Sequence, residues 1–369
     1  MPDQRVERLA RLIVEYSMKV QPGERIAVAG TTLAEPIMLE CLRQILKAGA
    51  HPQLMPSFPG QDFITFNEAS DVQLEYTSPF LTTVVEEFDG FIQFSSTANS
   101  RQLSGINPER QGIRAKAMTP LMKRYMERHG TRDLRLLITM FPTAAQAQDA
   151  EMSLVELEDY VYASTYCDTD DPVGAWGKIF AQQQKLVDWL KGKETVVVKG
   201  PEVDLKLSIK GRDFVNAHGD INMPDGEVYT SPVEDSLEGW IRFSYPAIMR
   251  GQEVVGTELR FEAGKVVEAR AQKGESMLLQ MLDVDEGARY AGEFAIGTNK
   301  RINRFMRNIL FDEKMGDTIH LALGAGFAEI GGKNESGIHW DMLCDMKDGG
   351  KIFVDDELFY DSGEFKIDS

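Results

Sequence analysis

Three cysteines in 369 residues, Cys41, Cys167 and Cys344, are too few, too far apart and odd in number for a disulfide framework. They fit a reducing compartment, and none stands at metal-site spacing from another. Positive charge is also scarce. Forty Lys and Arg face 58 Asp and Glu, a net charge of -18, whereas a phosphate-binding protein needs a concentrated basic surface, so no nucleic-acid partner is expected. No apolar run approaches the roughly 20 residues of a membrane span. The charged start, Met-Pro-Asp-Gln-Arg-Val-Glu-Arg, has no apolar segment of a secretory signal. Cytoplasmic residence without a membrane partner is the expectation. Gly30 begins no G-x-G-x-x-G pattern, so the dinucleotide fingerprint is absent as well.

The patterning that is present divides the chain in two. In residues 1–190, short apolar strand-like segments near 25–30, 51–55, 90–94 and 134–140 alternate with helical periods. Strands separated by helices of ten or more residues predict a three-layer α/β domain with a mainly parallel sheet. From 191 to 369 the texture becomes period-2 strands with glycine turns, as at 195–199, 203–209 and 254–271. That predicts an α+β domain with a twisted, largely antiparallel sheet. One long helix is expected within it. Ile302, Phe305, Met306, Ile309 and Leu310 would form its apolar stripe, with Lys300, Arg301, Arg304 and Arg307 around it.

Histidine is rare too, at five, and two of the five flank one glycine-rich connection. His320-Leu-Ala-Leu-Gly324 reads as a strand, and Ile338-His-Trp-Asp341 as the strand that returns. Period 2 puts His339 and Asp341 on one face and Trp340 on the other. Imidazole and carboxylate together are a divalent-metal ligand set. Two carboxylates in the same half, Glu227 and Glu293, each follow a glycine, which lets the backbone bend and bring the acid close to a bulky or charged group. With His320, His339 and Asp341 they make five candidate ligands for one or two divalent cations. His218, Lys333 and Glu335 read as turn and loop residues. Ser231 has no recognisable base, so covalent catalysis has little support.

Asn222-Met-Pro-Asp-Gly-Glu-Val-Tyr-Thr-Ser-Pro232, Gly292-Glu293, Phe311-Asp-Glu313, His320-Leu-Ala-Leu-Gly324 and Gly331-Gly-Lys-Asn-Glu-Ser-Gly-Ile-His-Trp-Asp341 together resemble the motifs of the aminopeptidase T and aminopeptidase S family of metallopeptidases. The resemblance spans the whole chain. It implies a C-terminal domain carrying a two-metal site, a homodimer, and release of N-terminal residues from peptides with a free N-terminus. By position Glu227, Glu293, His320, His339 and Asp341 match the family's ligands, and Glu313 an additional ligand or a supporting group. Zinc, cobalt and manganese all suit such a set. Glu227 is also the first choice for carrying a proton from water to the leaving amine.

One position departs from the pattern. Where the family usually has a tyrosine at the metal site, this chain has Phe327. A phenyl ring can neither donate a hydrogen bond nor ligate a metal, and Tyr229 and Tyr290 are the candidates to replace the lost phenol. Two other readings use the same residues. His320, His339 and Asp341 alone form the two-His-one-carboxylate set of a mononuclear Fe(II) dioxygenase that opens aromatic rings. A non-catalytic relative with a vestigial site is the other.

Overall fold

The structure is a computed structural model, and it describes residues 3–249 and 251–367. Two compact units are formed by Met1–Trp176 with Gly219–Pro224, and by Gly177–His218 with Asp225–Ser369. The division thus falls inside the helix Pro172–Leu190, whereas the change in sequence texture comes at the end of that helix.

The first unit is built on a five-stranded sheet in the order His51–Ser57, Arg25–Thr31, Gly90–Ser95, Arg135–Met140 and Asn222–Met223. Every neighbouring pair is parallel, and helices connect the first four strands as the alternation predicts. The strand Arg25–Thr31 shows why: Ile26, Ala27, Val28 and Ala29 are all buried, an uninterrupted apolar run covered on both faces. Helix starts carry their signals. Pro36 opens Glu35–Lys47, and Ser70 and Ser153 form capping boxes with Gln73 and Glu156. The last strand, Asn222–Met223, comes from a distant segment and is pinned by the Thr139 hydroxyl, which donates to Met223 O at 2.6 Å.

The second unit has two main antiparallel sheets. Eight strands run in the order Lys265–Arg270, Glu258–Glu262, Glu238–Arg242, Val203–Ser208, Thr195–Gly200, Lys351–Val354, Glu357–Asp361 and Glu364–Phe365. Five run in the order His339–Asp345, Thr318–Gly324, Ala291–Gly297, Glu227–Thr230 and Val215–Ala217. Both contribute to one apolar core, with Val198, Leu205, Ile241 and Phe261 from the larger sheet and Val228, Phe294, Leu321, Trp340 and Met342 from the smaller. Each such side chain stabilises the fold by about 1.5–3 kcal/mol on burial. Trp340 lies in this core as its place between His339 and Asp341 predicts.

The long helix expected over 300–310 does not form. Only Ile309–Asp312 is helical. Arg307 takes a left-handed φ of 59°, and the buried Asp312 carboxylate accepts from the backbone N–H of Met306 and of Asn308, both at 2.7 Å. A side chain that captures these amides offers the backbone an alternative to helical bonds, and here it prevails over the apolar periodicity.

Candidate metal centre

Four adjacent strands of the five-stranded sheet bring the five predicted ligands to one face. Along the register Glu227 pairs with Gly297, His320 with Ala295, Glu293 with Ala322, Asp341 with Ala322, and His339 with Gly324. Each acid or imidazole therefore has a glycine or alanine across one strand pair, and His320 has Leu343 across the other. Those small residues leave room above the sheet for five polar heads, while Val228, Phe294, Leu321 and Trp340 on the reverse face fix the register through the core.

A bulge between Ala291 and Glu293 aims the shared acid. Gly292 occupies it, and a Cβ there would strike the carbonyl of Ala325, so no larger residue fits. The same Ala325 carbonyl accepts from His339 Nδ1 at 2.9 Å. That bond sets the tautomer and leaves Nε2 facing the carboxylates.

The ligand atoms fall into two groups, Glu227, Glu293 and His320, and Glu293, His339 and Asp341, each with its atoms within 4.8 Å of one another. Glu293 belongs to both. His320 Nε2 lies 3.4 Å from Glu227 Oε2 and 3.7 Å from Glu293 Oε1. His339 Nε2 lies 3.1 Å from Glu293 Oε2 and 3.5 Å from Asp341 Oδ1. Glu227 Oε2 and Asp341 Oδ1 are buried without a hydrogen-bond partner. A buried carboxylate oxygen left unpaired is costly, and a cation is what such a pair of oxygens fits.

Two charged residues here escaped the sequence reading. Lys314 is buried, and its Nζ stands 2.5 Å from Glu227 Oε1, 2.7 Å from Glu313 Oε1 and 3.7 Å from Asp225 Oδ1. Glu313 thus sits on Lys314 rather than in either ligand group. The ammonium holds Glu227 by one oxygen and leaves the other toward His320. Asp225, also buried, is the second omission. The only sequence signals were proximity to Gly226-Glu227 and to Phe311-Asp-Glu313.

Electrostatics of the protein alone show how strongly this cluster attracts cations. Burial pushes the Glu227 carboxyl up to about 8, opposed by Lys314 and His320. Burial would also raise Glu293, but hydrogen bonds from His320 and His339 prevail and bring it down to about 2. For His320 and His339 burial disfavours the charged ring; Glu293, Glu227 and Asp341 outweigh it and lift them to about 9 and about 11. Protons thus occupy the imidazoles at neutral pH when no metal competes.

The remaining candidates sort by contact. Phe327 packs between Tyr229 and His339, with ring centroids 5.1 Å and 5.3 Å away. Its backbone N–H donates to Ser231 Oγ at 2.9 Å, which gives Ser231 a clamping role. His218 packs on Phe180, at 4.6 Å between ring centroids. Lys333 and Glu335 are exposed on the glycine loop.

The pattern of the thermophilic metalloprotease (M29) family matches residues 2–365. The chain belongs to the M29 metalloproteases. Among curated M29 relatives, Aminopeptidase 2 of Geobacillus stearothermophilus is 26% identical, covering 94% of this chain and 93% of its own. Aminopeptidase AmpS of Bacillus subtilis is 25% identical over the same shares. Aminopeptidase T of Thermus thermophilus is 28% identical over 73% of this chain and 72% of its own. The solved structure of wild-type AmpT from Thermus thermophilus superposes with a TM-score of 0.87 at 23% identity, covering 99% of both chains. A 2,5-dihydroxypyridine dioxygenase from Pseudomonas putida KT2440 superposes with a TM-score of 0.58 at 15% identity, covering 99% and 97%. These two likenesses bear on fold alone. The expected α/β architecture and membership of the aminopeptidase T and S family stand.

Proposed function

We propose that this M29 metalloprotease is an aminopeptidase whose second unit, within the domain expected over 191–369, holds two divalent ions that share Glu293. The observation that carries the reading is the division of five ligand side chains into two groups joined at that carboxylate. Glu227, Glu293 and His320 would hold one ion, and Glu293, His339 and Asp341 the other. When bound, such a pair polarises the scissile carbonyl and supplies hydroxide near neutral pH. The chain's own residues provide the rest. Lys314 anchors Glu227, Ala325 fixes the His339 ring, and the apolar core behind the sheet keeps all five ligands in register. Glu227 is our assignment for moving the proton from water to the leaving amine.

Zinc, cobalt and manganese remain the candidate ions, since imidazole and carboxylate ligands accommodate all three. Peptides with a free N-terminus are the proposed substrates, in line with the names of the relatives. Three buried free cysteines accord with cytoplasmic residence, and among the described residues no helix is long and apolar enough to cross a membrane. A homodimer would cover part of the exposed apolar surface, to which Phe58, Ile64, Val72 and Phe80 contribute. The dioxygenase alternative needs His320, His339 and Asp341 on one ion, whereas among the described residues His320 groups with Glu227 instead.

The test is metal analysis of purified protein together with aminoacyl-arylamides and N-blocked controls, in air and anaerobically. Metal-dependent, oxygen-independent release from free-amine substrates alone is expected. Oxygen uptake with a dihydroxylated aromatic, and no amide cleavage with any ion, would overturn the reading.

A further inference from the structure

One polar side chain on the ligand face is not used to hold an ion. Tyr229 follows Glu227 by two residues on the strand Glu227–Thr230, so both project to the same side. Its cross-strand partner is Ala295, whose other neighbour is His320. Only a methyl group therefore separates Tyr229 from the His320 position along the sheet. On its flank lies Phe327, 5.1 Å away between centroids, and beyond Phe327 lies His339, at 5.3 Å. The three rings wall the cluster.

The middle ring is fixed from just past the end of that strand. Ser231, two residues after Tyr229, accepts from Phe327 N at 2.9 Å, and Phe327 O accepts from Gly332 N at 2.8 Å. Tyr229 itself is only half-buried, and its hydroxyl makes no hydrogen bond among the described residues. Tyr290 stands just before the strand Ala291–Gly297, ahead of the bulge at Gly292, and its backbone carbonyl accepts from Gly324 N at 2.8 Å.

We propose that Tyr229 is a catalytic residue of the peptidase site, donating a hydrogen bond from its hydroxyl to the scissile carbonyl oxygen as negative charge develops there. No bond to the phenol forms or breaks; the O–H stays intact and strengthens its hydrogen bond in the transition state. Phe327 supplies the wall that orients the Tyr229 ring. This assignment rests on the aminopeptidase reading.

Tyr229→Phe removes one oxygen and keeps the ring. With a free-amine arylamide, kcat should fall on the order of 10²–10³-fold, the usual cost of one oxyanion donor, with KM and bound metal unchanged. Affinity for a phosphinic dipeptide that mimics the tetrahedral state, measured by calorimetry, should fall in parallel while affinity for the product amino acid does not. Tyr229→Phe/Phe327→Tyr, which moves the hydroxyl to the touching ring, should recover about tenfold or more of the loss. Wild-type turnover and mimic affinity in Tyr229→Phe would overturn this assignment alone, as would loss of bound metal in that variant. Absence of free-amine-dependent turnover in the wild type would overturn the aminopeptidase reading and this assignment with it.

Discussion

The two ligand groups that share Glu293 are built for different degrees of exposure. In the group of Glu227, Glu293 and His320 the side chains are 5%, 5% and 1% exposed, and Lys314 stands behind Glu227 as a permanent counter-charge. In the group of Glu293, His339 and Asp341, His339 is 33% exposed and is held from the loop carbonyl of Ala325. On the proposed two-ion reading, the closed group would be the one that fixes its ion. On the same reading, the open one would keep an approach for a further ligand, as a catalytic site requires. Because the central acid is common to both, neither group can be altered there without affecting the other.

The largest effect is expected from breaking what the groups share. Glu293→Gln should remove both ions together and lower activity by more than the roughly 100-fold at the upper end of what loss of an outer-shell partner costs. Metal content and turnover measured on the same preparation check this, and retention of one full equivalent of metal would show the groups to be independent.

Breaking only the closed group separates the two. Lys314→Met leaves the buried Glu227 and the half-buried Glu313 without their ammonium, and removing one partner of a buried pair costs about 3–5 kcal/mol. The metal-free variant should lose stability of that order in denaturant titration, and a divalent ion should recover most of it. An equal deficit with and without metal would mean that Lys314 serves packing rather than charge.

A third effect sharpens the contrast through pH. The His320 and His339 rings are raised from the usual imidazole value to about 9 and about 11, and the Glu227 carboxyl to about 8. A group whose folded value is raised contributes stability that is full below its unfolded value and is lost as pH rises through the folded one. The metal-free protein should therefore show a Tm that falls from about pH 4.5, where Glu227 begins to lose its contribution, up to about pH 9 and then about 11, where His320 and then His339 release their protons. Metal binding has the opposite sign: it displaces these protons and strengthens as pH rises. A metal-free Tm that rises across this window would contradict the assigned environment.

Much of this site was readable from spacing because its ligands lie on strands, where period 2 fixes the face. His339 and Asp341 were placed on one face by that rule alone, with Trp340 opposite, and the glycines before Glu227 and Glu293 marked places where the backbone bends close. Lys314 was not readable. Its partner Glu227 lies 87 residues away, and a lysine next to two acids looks like any solvated charge run until a fold buries it. The missing helix before it has a similar origin, since Asp312 caps amides that an apolar stripe had assigned to helical bonds. Two-residue strands such as Asn222–Met223 carry no period at all, so the return of 219–224 to the first unit had no signal in the sequence.

Anomalous diffraction from crystals grown with manganese, cobalt or zinc tests the shared-carboxylate arrangement most directly. Two ion positions are predicted, both within ligand distance of Glu293, one also bound by Glu227 and His320 and the other by His339 and Asp341. A single fully occupied position bound by His320, His339 and Asp341, with Glu227 still held only by Lys314, would contradict it.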